Sequence, residues 1–154
     1  MQIADLGLSP DVRVLGDPQR SVTGASLDSR AVAPGDLYAA LPGANVHGAR
    51  FVPEVLARGV RAVLTDPDGL ELIRTALAEA GTTAVLDEAT VLVVERPRAH
   101  LGAIAARIHG TDPDDPQLLG ITGTNGKTTT TYICLLYTSP SPRDVEESRM
   151  PSSA

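Results

Sequence analysis

Ten consecutive residues, Gly120-Ile121-Thr122-Gly123-Thr124-Asn125-Gly126-Lys127-Thr128-Thr129, restrict what this chain can build more than any other stretch. They join an apolar run, Leu118 to Thr122, to a segment able to open a helix, so the predicted order is strand, glycine-rich loop, helix N-terminus. That order suits an anion. Glycines at 123 and 126 allow backbone angles closed to other residues, the loop N–H groups turn inward, and the helix dipole favours negative charge there. Lys127 adds a positive charge, and Thr128 carries a hydroxyl where a P-loop has its Mg²⁺ ligand. The spacing departs from G-x-x-x-x-G-K-[ST], because Ile121 stands five residues before Gly126 and the glycines fall at 120 and 123 instead. The stretch is a variant P-loop. A glycine-rich turn with a chance lysine is the weaker account, since strand, glycines, lysine and paired threonines coincide.

At 154 residues there is room for one domain and the beginning of another. A net charge of −6 with no basic run argues against a nucleic-acid partner, and 3% aromatic residues without Trp leave no stacking surface for single strands. An anionic ligand must then be held by local amides and Lys127. The single Cys134 excludes an internal disulfide and a cysteine-based zinc site, suits a reducing compartment, and is better read as a small buried hydrophobe than as a reactive thiol. Asp5, Asp11 and Asp17 interrupt the first twenty residues, so no secretory signal is expected, and no run approaches membrane-spanning length. A cytoplasmic protein with no membrane partner is the expectation. Oligomeric state leaves no mark.

Taken in order, residues 12–15 and 22–27 read as short strands separated by a turn at Gly16-Asp17-Pro18. Ala33-Pro34-Gly35-Asp36 predicts a type II turn before a strand at 37–41. The loop Pro42 to Gly48 follows, and it lies beside Asp28 to Arg30 if those two strands pair. Pro53 opens a short helix that Gly59 stops, and 61–65 is a β-branched apolar strand. Asp66-Pro67-Asp68-Gly69 leads into a helix whose buried face is Leu70, Ile73, Leu77 and Ala80, closed by Gly81. Residues 82–86 are expected to pair at a sheet edge, and 91–94 to form a strand. Leu101, Ile104, Ala105 and Ile108 then form the clearest amphipathic stripe of the chain, ended by Gly110. Alternating strands and helices predict an α/β fold with part of its sheet parallel. Residues 111–116, with two prolines, read as a linker between a domain at 1–110 and the opening of a second at 117–136. A helix from Thr128 to Leu136 is halted by Ser139-Pro140-Ser141-Pro142, and 137–154 reads as an aberrant, disordered tail.

The P-loop with Thr130, the segment Leu27-Asp28-Ser29-Arg30 with Pro34-Gly35-Asp36-Leu37-Tyr38, and His47-Gly48-Ala49-Arg50-Phe51 together resemble the Mur ligases. Within them they are most similar to the tripeptide-synthetase type of high-GC Gram-positive bacteria, over residues from about Val12 to Ile133; Asn125 favours that type over the next ligase of the pathway. The resemblance implies a small N-terminal UDP-binding α/β domain, followed by the first strand, P-loop and helix start of a P-loop ATPase domain, truncated. It implies ATP and Mg²⁺ as cofactors, with UDP-N-acetylmuramoyl-L-alanyl-D-glutamate and a diamino acid, meso-diaminopimelate rather than L-lysine, as partners. Gly123, Thr124, Asn125, Gly126, Lys127, Thr128 and Thr129 would bind ATP, with Thr128 on Mg²⁺. Leu27, Ser29, Ala44, Asn45 and Val46 would contact the uridine. No catalytic residue is assigned within these residues.

Arg30 is read as an ion-pair partner of Asp28 or Asp36 rather than a diphosphate ligand, and His47 as a loop hydrogen-bonding residue rather than a catalyst. His100 and His109 are read as structural, Arg98 and Arg107 as solvated charges. From Cys134 the sequence resembles neither the family nor a folded element, which reads as a truncated or misjoined gene. The second Mg²⁺ ligands, the carbamylated lysine and the amino-acid-selecting arginine of the family have no counterpart here, so the chain is expected to be an inactive piece of the ligase. Two alternatives stay open: a UDP-sugar-binding module without turnover, and another P-loop ligase, either the next Mur ligase or a folylpolyglutamate-type synthetase. The segment 27–38 speaks against the last of these.

Overall fold

The structure, a computed structural model, describes residues 1–111, 122–123 and 125–138, the side chains of 131 and 134–138 excepted. The chain divides into two units, Met1–Pro113 and Asp114–Ala154.

In the first unit five strands form one sheet: β1 Arg13–Leu15, β2 Gly24–Ser26, β3 Asp36–Ala39, β4 Ala62–Thr65 and β5 Thr90–Val93, in the order β1-β5-β4-β3-β2. β2 to β5 run parallel, with Tyr38 opposite Val63 and Val63 opposite Val91, and β1 closes the other edge antiparallel to β5. The central strands are buried at every position because helices cover both faces. Side chains alternate across the pleat. Tyr38, Val63, Val91 and Val93 face one core with Val55, Leu56, Ile73 and Leu77, while Leu37, Ala39, Leu64 and Leu92 face the other with Ile104. The helices are α1 Val52–Ala57, α2 Pro67–Glu79, α3 Ala84–Asp87 and α4 Pro97–His109.

The expected strand-and-helix alternation is present, and the Ala33–Asp36 turn closes with a bond from Asp36 N–H to the Ala33 carbonyl (3.0 Å) and Gly35 at φ +95°. Several expectations need correction. β1 and β2, the strands expected on either side of the Gly16 turn, occupy opposite edges of the sheet, and a 3₁₀ turn at Ile3–Leu6, not anticipated, buries Ile3 and Leu6 in the second core. Residues 82–86 are not an edge strand. The edge beside β5 is taken by β1, and Val85 and Leu86 pack on the core from the single turn of α3. Ala80 is the exposed C-terminal cap of α2, so its buried face is Leu70, Ile73 and Leu77. The stripe of α4 is shallower than its pattern suggests: only Ile104 of the four is buried, Leu101 and Ile108 are partly buried against the same core, and the main contacts of α4 are with the short edge strand β2 and the Ile3–Leu6 turn.

The second unit has one described helix, α5 Lys127–Thr138, running two residues past the expected Leu136. Gly123 and Gly126 before it adopt φ +147° and +80°. The strand expected at 118–122 (Thr122 apart), residues 112–116 of the linker and the tail from 139 lie outside the described residues, as does the Cys134 side chain.

Candidate functional site

β2 and β3 are parallel neighbours, so their carboxyl ends lie on one edge of the sheet and the loops that leave them emerge side by side. A cleft of about 510 Å³ lies between those loops. Leu27, Asp28, Ser29 and Arg30 line it from the first loop and Pro42, Gly43, Val46 and Gly48 from the second, with Phe51, Glu54 and Arg98 also on its wall. Its volume falls within the range of small-molecule sites. Three large apolar side chains are exposed there, Leu27 at 55%, Val46 at 47% and Phe51 at 40%.

The first wall is a tight turn. The Asp28 carbonyl accepts from Ala31 and Val32 (3.1 and 3.0 Å), and the Asp28 N–H donates to Ser26 Oγ (3.1 Å). The Arg30 N–H donates to Asp28 Oδ1 at 2.9 Å, and the Arg30 guanidinium reaches the same oxygen at 3.3 Å. That ion pair is in solvent, with the Arg30 side chain 86% exposed, so it adds little stability. Of the two expected partners Arg30 has Asp28; Asp36 accepts instead from the Ala33 N–H (3.0 Å). The Arg30 N–H, and then its guanidinium, hold the Asp28 carboxyl below the usual carboxylate range. Arg58 secures the turn from α1's C-terminal end by donating to the Ser29 carbonyl at 2.9 Å.

Tyr38 lies beneath both walls. Its buried hydroxyl donates to the Gly48 carbonyl at 3.1 Å. Burial pushes the phenol's pKa up, an interaction with the Ser29 hydroxyl pulls it down, and the nearby Asp28 charge pushes it up further.

Of the residues expected at the uridine, Leu27, Ser29 and Val46 line the cleft together, while Ala44 and Asn45 stand exposed in the same loop without lining it. Arg98, expected as a solvated charge, is on the cleft wall. It sits in the first turn of α4, directly after β5, and a cation there opposes the helix dipole; that misplaced charge is the signal that marks it in the sequence. Phe51 and Glu54 carry no comparable signal. His47 makes the expected loop hydrogen bonds, to Ala49 and Asp66, and His100 pairs with Asp11 at 3.3 Å. His109 and Arg107 are exposed, the latter with its guanidinium beside Gly7.

In the second unit the Lys127 ammonium donates to the Gly123 carbonyl, and Thr130 returns both its N–H and its hydroxyl to the Gly126 carbonyl at 2.9 Å. Asn125, Thr128 and Thr129 are exposed, and Thr124 lies outside the described residues. No group of three or more His, Cys, Asp or Glu is arranged for a metal among the described residues, and no described helix is long and apolar enough to cross a membrane.

The profile described as Mur ligase family, catalytic domain, matches residues 21–109, more than half of the chain, and the chain belongs to this family. It is 51% identical over 117 residues to the UDP-N-acetylmuramoyl-L-alanyl-D-glutamate–2,6-diaminopimelate ligase of Streptomyces coelicolor, covering 76% of this chain and 21% of that protein. It is 50% identical over 118 residues to the protein of the same name from Streptomyces avermitilis, covering 75% of this chain and 21% of the relative. It is also 47% identical over 112 residues to a UDP-N-acetylmuramyl-tripeptide synthetase of Leifsonia xyli, covering 73% and 20%. The chain thus spans about one fifth of the length of these relatives.

Proposed function

We propose that residues 1–110 hold the UDP end of a peptidoglycan precursor, that 111–116 are a linker, and that 117–136 open the ATP-binding domain of an ADP-forming amide ligase. One observation carries this: the cleft at the carboxyl ends of β2 and β3, with Leu27, Ser29 and Val46 converging on it, in a chain about half identical to ligases named for that precursor. Leu27 covers a face of the uracil, the Ser29 hydroxyl meets a ring edge as donor and acceptor, and the backbone of Ala44 to Val46 closes over the ring.

In the reaction of such a ligase, ATP phosphorylates the terminal carboxylate of UDP-N-acetylmuramoyl-L-alanyl-D-glutamate and leaves as ADP. The amine of the diamino acid then attacks the acyl carbon and expels phosphate, forming the amide. The names of the two Streptomyces relatives favour meso-diaminopimelate as that amine. Phosphoryl transfer is chiefly positioning and charge neutralisation. The amides of Gly123, Thr124, Asn125 and Gly126 and the Lys127 ammonium suit the β- and γ-phosphates, and Thr129 supports the loop. The exposed hydroxyl of Thr128 is a hard oxygen donor of the kind that shares Mg²⁺ with nucleotide phosphates without an acidic cage. When bound, Mg²⁺ supplies charge neutralisation at those phosphates. Reaction in the cytoplasm follows from the substrates.

Isothermal titration of the 154-residue chain tests the reading. UDP-N-acetylmuramoyl-L-alanyl-D-glutamate should bind, and Lys127→Met should weaken MgATP by about tenfold while leaving that binding unchanged. No ADP release is expected from the 154 residues by themselves. A chain that ignores the UDP-sugar would overturn the assignment of the cleft.

A further inference from the structure

We infer that His47 is a positioning residue for the substrate loop: its imidazole, clasped between the Ala49 N–H and the Asp66 carboxylate, sets where the loop 42–46, and with it Val46, stands at the cleft. The inference rests on the reading of that cleft as the UDP site. Residues Pro42 to Val46 are exposed throughout, so burial does not fix them. What fixes them lies at their end. The Gly48 N–H donates to the Leu41 carbonyl at 2.9 Å, closing the base of the loop, and the Gly48 carbonyl accepts from Tyr38. His47 is the first side chain of the loop to turn inward, and it and Asp66 are each only 14% exposed.

The bonding determines the ring's tautomer. His47 Nδ1 lies 3.0 Å from the Ala49 N–H, and an amide can only donate, so Nδ1 carries no proton. The proton is therefore on Nε2, which donates to Asp66 Oδ1 at 3.0 Å. The same oxygen accepts the Gly69 N–H at 2.8 Å and so caps α2. Gly69 is what admits the ring: a Cβ there would stand 2.6 Å from His47 Cε1 and 2.1 Å from Thr65 Oγ1. The loop, the 3₁₀ turn Gly48–Phe51 and the first turn of α2 thus agree on one imidazole position. Because both ring nitrogens are engaged by the protein, neither is left for proton transfer or for a ligand, and the ring acts through the loop it ends.

His47→Asn separates the two bonds. The shorter amide still accepts from the Ala49 N–H as a cap but does not span to Asp66. Titrating the 154-residue chain with UDP should show affinity about tenfold lower than the parent, the scale of one hydrogen bond to a charged group. Amide exchange should quicken at Gly48, whose N–H closes the base of the loop, while the amides of β3 and β4 and the melting temperature hold. Asp66→Asn keeps the α2 cap and gives the ring a neutral acceptor, and should lie between the two. Parental affinity and parental loop exchange in folded His47→Asn would overturn the inference; if that variant does not fold, parental values in Asp66→Asn overturn it instead. Failure of the parent itself to bind UDP would sink the reading of the cleft, a separate result.

Discussion

The cleft of the first unit and the P-loop of the second are assembled in opposite ways. The cleft draws Leu27 to Arg30, then Pro42, Gly43, Val46 and Gly48, then Phe51 and Glu54, and Arg98 from four separated stretches, and parallel β2 and β3 bring the first two of them to one edge. Behind it stand two cores, one on each face of the sheet. The P-loop is a contiguous run whose described residues are exposed, shaped by two positive-φ glycines and by bonds that return to its own carbonyls. A site made by convergence depends on buried residues that never touch a ligand, whereas a site made by local backbone geometry depends on its own few residues. The two should therefore respond differently to substitution.

The widest gap is expected between Leu92→Ala and Thr129→Ala. Leu92 is fully buried opposite Val14, on the face shared with Leu37, Leu64 and Ile104. Its truncation should cost about 3 kcal/mol in denaturant unfolding and weaken UDP binding without touching the cleft. Thr129→Ala, at an exposed position, should stay within about 0.5 kcal/mol. Equal costs at the two positions would remove the contrast.

A methyl group at Gly48 probes the cleft from inside. An added Cβ would stand 3.0 Å from both Ala40 Cα and Leu41 N, backbone atoms that have little room to yield. Gly48→Ala should cost about 1–3 kcal/mol and strain the contact by which Tyr38 holds the loop. Its loss of UDP affinity should exceed that of a core substitution of equal stability cost. If affinity follows stability alone, the loop base does not shape the cleft.

What was legible beforehand follows the same division. Gly123, Gly126 and the start of α5 could be read off the P-loop, since a local motif contains its own geometry. The central strands were legible because 62–64 and 91–93 are apolar at both phases of the pleat. The pairing of 27–30 with 42–48 was legible only on condition that β2 and β3 adjoin. The edges were not: β1 has three residues, none of them buried, and nothing in its pattern says that it pairs with β5 at the edge opposite β2. Residues 82–86, two threonines followed by three apolar residues, are too short a run to separate a strand from a helical turn. Arg98 is exposed, as expected of a solvated charge, and its place on the cleft wall comes from α4, which packs on β2.

The smallest effect sharpens how the first wall is held. The Arg30 backbone N–H first and its guanidinium second depress the Asp28 pKa, the Arg58 charge adds a smaller push in the same direction, and desolvation opposes them. Because the folded pKa lies below the ordinary 3.8, ionised Asp28 favours the fold above that value, and the contribution is lost as pH falls through the folded pKa. A carbon-detected titration of the Asp28 carboxyl should have its midpoint below 3.8. Arg30→Gln removes the guanidinium and keeps the N–H, so the midpoint should rise yet remain below that of an unfolded peptide, with the turn and UDP affinity nearly unchanged. A midpoint that returns fully to the peptide value would mean that the exposed ion pair, not the backbone of the turn, holds the carboxylate. The wall would then depend on a solvent-screened contact, and high salt should loosen it; with the N–H dominant, salt should leave it in place.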